Sequence, residues 1–363
     1  MISQPPFLCC TITETKGESM NPDFNIPVCH AQGKTLAEAF ENALIELHDK
    51  GRRFKTQYDK PDDPESIDAT MNITIEEPMS DPMIHKAFPG APWDLREYVM
   101  ELTGAKDHWV KNLNIDKDTR WEYTYHGRFK NWGQEKHFEY DYNSMQFIER
   151  LKGESQDQIE AVVQKLIEQP FTRQAQMITW MPNLDMDIYD PPCLQSWWGR
   201  IIEHEGVWYL NYNMRIRSND AFSAHFMNVF GLTMMTKELI ADKIAKRTGK
   251  IVKLGRMNWH ADSFHIYGKD RKDFEERFWN RLDEPFEERV YNFYDSDIQE
   301  MYEEGTAMTE RKIALQDANW EAEKEKREEE WKPLCFKCAK QDTCEYSNVN
   351  WACEGCMDFE AKT

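Results

Sequence analysis

Apolar and polar positions alternate along this chain with two distinct periods. In residues 34–51, KTLAEAFENALIELHDKG, Leu36, Phe40, Leu44 and Leu47 recur at helical spacing. Thr35 and Glu38 form a capping box ahead of them, so a helix ending at Gly51 is predicted, with Arg52 and Arg53 just beyond it. MNITIEEP, 71–78, alternates in the manner of a strand. WDLREYVMELTG, 93–104, reads as a second helix closed by Gly104, and SQDQIEAVVQKLIEQ, 155–169, as a third with Pro170 just after it. The runs AQMITWM, SWWGRIIEHEGVWYLNYNMRIRS and SFHIYG are β-rich. The middle run reads as a hairpin turning at Glu205-Gly206. A mostly apolar helix, AFSAHFMNVFGLTMM, follows Ser218-Asn219-Asp220. From about 284 to 332, Glu, Lys, Arg and Gln dominate, which predicts a solvated helix. Helices interleave with mixed strands, so the fold class is α+β or mixed α/β.

A chain of 363 residues with 13 Trp and 19 Phe has material for one large core, with room for an appendage. No run reaches the roughly 18 apolar residues of a membrane span, and MISQPPFLCC lacks a basic-then-apolar leader pattern. The expected compartment is the cytoplasm. The net charge of -20 argues against sequence-independent nucleic-acid binding, which needs a surplus of Lys and Arg. It leaves room for an anionic substrate where a few arginines converge.

Cysteine placement divides the chain further. Cys9, Cys10, Cys29 and Cys193 are scattered, whereas Cys335, Cys338, Cys344, Cys353 and Cys356 crowd the end. Two CxxC pairs, 335/338 and 353/356, fit a tetrahedral thiolate site, with Cys344 surplus or one of a different four. Zinc is the expected ion, with an iron–sulfur cluster as the rival. The resulting segmentation is an N-terminal helical extension at 1–50, a catalytic domain at 51–285, an acidic helical segment at 286–333 and a metal knuckle at 334–363.

Cys193, in DPPCLQSWW, is the candidate nucleophile. A thiol adds to an electron-poor carbon only as thiolate, which requires a nearby cation or dipole. Arg215 and Arg217 lie on a strand shortly downstream, Arg173 lies upstream, and RSND is read as opening a helix whose amides favour an anion. This pattern points to a phosphorylated substrate beside a reactive thiol.

The same residues resemble the thymidylate synthase family. PPC at 191–193 is similar to its nucleophile motif, and RSND with an asparagine eight residues past the aspartate is similar to its arginine-serine-x-aspartate segment. DSFHIY at 262–267 and the Arg173, Trp180, Cys193 spacing also fit, as does Glu97 seven residues before Gly104. The resemblance covers roughly residues 90–275. It implies a large twisted mixed sheet with helices on one side, the sheet backs packed in a homodimer.

It also implies roles. Cys193 would add to C6 of the uracil of dUMP, and C5 would then attack the one-carbon unit of 5,10-methylenetetrahydrofolate. Glu97 would organise water and proton transfers. Arg217 and Ser218 would hold the phosphate, with Arg173 reaching in from the partner subunit. Asp220 would contact the pterin and assist catalysis, with Trp109 beside the folate. Asn228 would read the pyrimidine, and His265 and Tyr267 the sugar.

Some positions depart from the family pattern. Leu194 stands where histidine is frequent, and His126 where tyrosine is usual, with Tyr125 adjacent. The acidic helix and knuckle replace the family's closing C-terminus. The expected product is dTMP. The alternatives are a dUMP hydroxymethylase, a dCMP hydroxymethylase, for which an aspartate would suit position 228 better, and a non-catalytic binding protein built around the knuckle.

Overall fold

The computed structural model describes residues 25–107, 121, 123–141, 146–188 and 190–330. The first described elements are strand β1 (Val28–Gly33) and helix α1 (Leu36–Lys50). Thr35 caps α1 by accepting from the Glu38 amide, while the Glu38 carboxylate accepts from the Lys34 amide, one residue before the cap. The predicted stripe of Leu36, Phe40, Leu44 and Leu47 is fully buried.

Then follow β2 (Arg52–Phe54), β3 (Ser66–Ile75), β4 (Ile84–His85) and the helices α2 (Pro92–Leu102) and α3 (Tyr125–Lys130). A hairpin of β5 (Glu135–Asp141) and β6 (Gln146–Lys152) leads to α4 (Gln158–Glu168), β7 (Ala175–Ile178) and the short α5 (Pro182–Asp185). The long hairpin is β8 (Leu194–His204) and β9 (Val207–Asp220), turning at Glu205 and Gly206. Both turn residues have positive φ, 51° and 78°, as a type I′ hairpin turn requires. Helix α6 (His225–Thr236) runs through one π turn into α7 (Asp242–Thr248). β10 (Ile251–Ile266), α8 (Arg271–Arg277), β11 (Val290–Tyr291) and the long α9 (Ser296–Glu330) are the last of the described elements.

Six strands form one mixed sheet in the order β1-β3-β10-β9-β8-β7, with β2 also on β3. β1 runs parallel to β3 and β10 parallel to β9, while the other neighbours are antiparallel. The architecture is α+β with a large mixed sheet. β1 and α1 precede residue 51, yet they share this sheet and its hydrophobic core with the strands that follow.

α6 is apolar nearly all round, with ten of its twelve residues buried, as a helix inside a core must be. Two glycines set helix spacing. A Cβ on Gly231 of α6 would lie 2.5 Å from the Tyr98 ring on α2, and one on Gly305 of α9 would lie 2.6 Å from the Trp93 carbonyl of α2. Both helices can therefore approach α2 closely. A buried network ties α1 to the segment just before β11. Glu41 accepts from both the Nε and Nη2 of Arg289 and bonds His85 at 3.0 Å.

Candidate active site

The sheet is irregular where the expected functional residues fall. Register shifts lie between Leu194 and Ser196 on β8, and between Ala261 and Phe264 on β10. A bulge flips the face on which successive side chains emerge. Past it, Asp68, His265 and Asp220 are neighbours across β3, β10 and β9.

RSND ends strand β9; it does not open a helix, because these residues pair with β10 up to Asp220. α6 begins five residues later, at His225. Asp220 itself holds the intervening turn, its Oδ1 accepting from the amides of Phe222 and Ser223. Burial raises its pKa, with those amide bonds pulling partly back.

Cys193 sits half-buried immediately before β8. Its carbonyl accepts from the Arg217 amide at 2.8 Å. The Arg217 guanidinium donates to the carbonyls of Pro192 (3.1 Å) and Pro191 (2.6 Å), which clamps the PPC loop against β9. Burial pushes the Cys193 thiol up, while Arg217 pulls it down and Asp190 pushes it further up. Arg217 supplies the cation that the sequence reading asked for, but burial outweighs its pull on the thiol. Arg215 points elsewhere and pairs with Asp262 at the exposed surface.

Three tyrosines crowd this thiol. Burial raises the hydroxyls of Tyr98, Tyr123 and Tyr125, and a thiolate at Cys193 would raise each further. Tyr125 accepts from the Leu194 amide next to the cysteine. His126 turns away and bonds Asp107, so Tyr125 is the aromatic neighbour of Cys193. Tyr98 donates to Asn228 Oδ1 at 2.6 Å, and so links the expected pyrimidine reader on α6 to the thiol's surroundings.

Glu97 is not a free carboxylate. Lys106 donates to it at 2.8 Å and Lys312 of α9 pairs with its other oxygen. Burial would raise its pKa, but these two ammonium groups outweigh that and hold it below the usual carboxylate range. Glu101, one turn further along α2, behaves oppositely. Burial pushes it up to about 7, against the pull of Lys106 and with a further push from Glu97 and Asp107.

A cavity of about 200 Å³ opens beside the sheet row, lined among others by Thr56, Tyr58, Asp68, Ser263, His265 and Tyr267. His265 and Tyr267 stack edge to face at 4.6 Å. Burial lowers His265 to about 4 and raises Tyr267 to about 12. Burial also raises Asp68 to about 6, with the Ser263 hydroxyl and the Ala69 amide pulling partly back.

The chain therefore gathers Cys193, Arg217 and Asn228 around the three tyrosines, and His265 with Tyr267 around the cavity. Ser218 sits on β9 opposite Ser263 of β10. Arg173 lies exposed just before β7, the last strand of the sheet. Trp109 and the five terminal cysteines, Cys335, Cys338, Cys344, Cys353 and Cys356, lie outside the described residues. Among the described residues no group of three or more His, Cys, Asp or Glu is placed to hold a metal ion. Nor is any helix among them long and apolar enough to cross a membrane. Sequence reasoning missed Tyr98, Asp68, Glu101 and Lys312. Only Tyr98 and Glu101 carried a signal, lying within a turn of Glu97 on a helix already singled out.

Fold and site together define an α+β protein with a cysteine nucleophile candidate and a polar-lined cavity on one mixed sheet. Residues 92–310, well over half of the chain, match the family model for thymidylate synthase. The chain belongs to the thymidylate synthase family.

Among its relatives is a protein of Methanocaldococcus jannaschii with a provisional thymidylate synthase assignment. It is 29% identical over 211 residues, covering 56% of this chain and 88% of the relative. A Methanosarcina barkeri protein with the same assignment is 26% identical over 201 residues, covering 54% and 72%. Among solved structures, thermostable thymidylate synthase A from Bacillus subtilis is similar with a TM-score of 0.47 at 16% identity, covering 68% of this chain and 84% of that one.

Proposed function

We propose that this chain transfers a one-carbon unit from 5,10-methylenetetrahydrofolate to C5 of dUMP, giving dTMP. The observation that carries the reading is the link through Tyr98, which bonds the Asn228 carboxamide and lies within the field of Cys193. A pyrimidine held on Asn228 therefore lies near the thiol. The Cys193 thiolate adds to C6, and the electron pair moves onto C5 and the O4 enolate. The methylene carbon's bond to N10 opens, N10 taking a proton, and C5 forms a carbon–carbon bond to that carbon, which is still held on N5. Loss of the C5 proton and of the folate nitrogen leaves an exocyclic methylene. Hydride from the folate completes the methyl group, and the thiolate leaves from C6.

A bound phosphate would add its own demand on Arg217 and Ser218, and bidentate arginine suits it. The substrate phosphate and the Cys193 thiolate compete for the Arg217 cation, so thiolate formation and nucleotide binding are coupled. Proton transfers fall to Glu97 and Glu101, of which Glu101 sits near neutrality, where a general acid or base works best. Asp220 is assigned to the pterin and Trp109 to the folate ring.

The second reading, dUMP hydroxymethylation, differs only in the last step, where water captures the methylene. It is favoured by α9, which crosses α2 and places Lys312 on Glu97. Full-length protein incubated with dUMP and methylenetetrahydrofolate, with products resolved by mass, separates the two. dTMP with dihydrofolate is expected. Hydroxymethyl-dUMP with tetrahydrofolate would support the second reading, and no product would sink both. The terminal cysteines are assigned a structural zinc ion, so full-length protein should carry about one equivalent that a chain ending at 330 lacks. Equal metal content in the two would refute that assignment.

A further inference from the structure

Across the bulged row, Ser263 Oγ donates to Asp68 Oδ2 at 2.8 Å and lies 3.0 Å from His265 Nδ1. Because the hydroxyl hydrogen is committed to the carboxylate, Oγ accepts from an Nδ1–H. His265 is therefore the neutral Nδ1 tautomer, and its Nε2 carries a bare lone pair. Burial, which keeps this imidazole from protonating near neutrality, agrees. Two acceptors result, Asp68 Oδ1 and His265 Nε2. Both are buried and neither has a protein hydrogen-bond partner among the described residues. His265 is only 8% exposed, and both residues line the cavity of about 200 Å³.

A pair of bare acceptors selects its ligand by chemistry. It repels phosphate oxygens and base carbonyls, and it is satisfied by two hydrogen-bond donors. Sugar hydroxyls are such donors. A 2′-deoxynucleoside 5′-monophosphate has one free sugar hydroxyl and leaves one acceptor bare, whereas the ribonucleotide has two. The Tyr267 hydroxyl, on the same cavity wall, can donate back to either.

Resting on the nucleotide reading of the site, we propose that Asp68 and His265 together read two hydroxyls of the nucleotide sugar, so that the site takes uridine 5′-monophosphate as well as dUMP. Asp68 is thus a specificity-determining residue of this chain.

Calorimetric titration of the full-length protein with each nucleotide tests this. Wild-type protein should bind UMP at least as tightly as dUMP. Asp68→Asn, which keeps the side-chain shape but turns a donor into the cavity, should weaken UMP about ten-fold while weakening dUMP less than about three-fold. Wild-type preference for dUMP by about ten-fold or more would overturn the proposal, as would an equal loss for both nucleotides in the variant. The uracil-nucleotide reading would survive either result. If neither nucleotide binds wild-type protein, that reading fails and takes this proposal with it. Should Asp68→Asn not fold, the wild-type comparison alone decides.

Discussion

A carboxylate held between strands costs folding free energy at every pH at which it is charged, and Asp68 is such a group. Its pKa rises from 3.8 to about 6 in the folded chain because it is buried, with only the Ser263 hydroxyl and the Ala69 amide in partial compensation. Between those two values the folded chain holds a proton that the unfolded chain has released. Stability therefore falls as pH rises from about 4 to about 6 and stays lower above it. Asp68→Asn removes the titration. It should raise stability by about 3 kcal/mol at pH 7.5 and by far less at pH 4. Urea denaturation at the two pH values reads this directly, and an equal effect at both would show that Asp68 is not buried as a charge. A residue that lowers stability at neutral pH is better understood as serving a ligand. Nothing near Asp68 in the sequence announces this, because the partner that defines it, Ser263, is 195 residues away. Cys193 and Asn228 could be singled out as candidates because residue type and local spacing mark them. Glu97 was legible as a position, but its two lysine partners were not, since Lys312 lies 215 residues on.

At the scale of elements, α2 is the hinge of the site, and what packs on it decides what its side chains can do. Gly231 lets α6 approach until the Tyr98 hydroxyl reaches Asn228. With its Oδ1 engaged, the carboxamide cannot flip, and it offers one fixed edge to a pyrimidine. Tyr98→Phe leaves that oxygen unpaired and the amide free to turn, so the preference for dUMP over dCMP should shrink about ten-fold. Binding constants for both nucleotides check this, and an unchanged ratio would reduce Tyr98 to a packing role.

The hairpin, α1, α2 and α4 could be read from periodicity and turn chemistry, since Glu205-Gly206, Thr35 and Gly104 are local signals. The segment RSND misled for a physical reason. Ser, Asn and Asp favour helix starts and strand ends alike, and only the pairing with β10 decides between them. α9 was legible as a helix, but its docking was not, because few apolar residues mark the side that meets α2. Contact there rests on Gly305, on the Arg96–Thr306 bond and on Arg96 over the Tyr302 ring.

For the whole molecule, the unplaced piece is Arg173. It lies exposed before β7, on the far edge strand, and its carbonyl accepts from Trp198 on β8. Cys193, immediately before β8, is clamped instead by Arg217 of β9. Within one chain, then, no hydrogen bond or ion pair among the described residues joins Arg173 to the group around Cys193. A symmetric dimer packed through its sheets, as family membership leads us to propose, would let each subunit lend Arg173 to the other's site. The face away from the helices carries Trp198, Tyr209 and the exposed Ile202, apolar material suited to such packing.

Subunit mixing distinguishes this arrangement from one in which Arg173 acts within its own chain. Arg173→Ala alone should lose most turnover, and Cys193→Ser all of it. If the arginine acts in trans, a heterodimer of the two variants has one site with both residues intact and one with neither. Equal mixing with free exchange makes half of the dimers hybrid, so about a quarter of wild-type turnover should return. If it acts in cis, every site in every dimer lacks one of the two residues and no turnover returns. Recovery on mixing would therefore place Arg173 across the interface, and its absence, with exchange confirmed by tagged subunits, would confine each site to one chain.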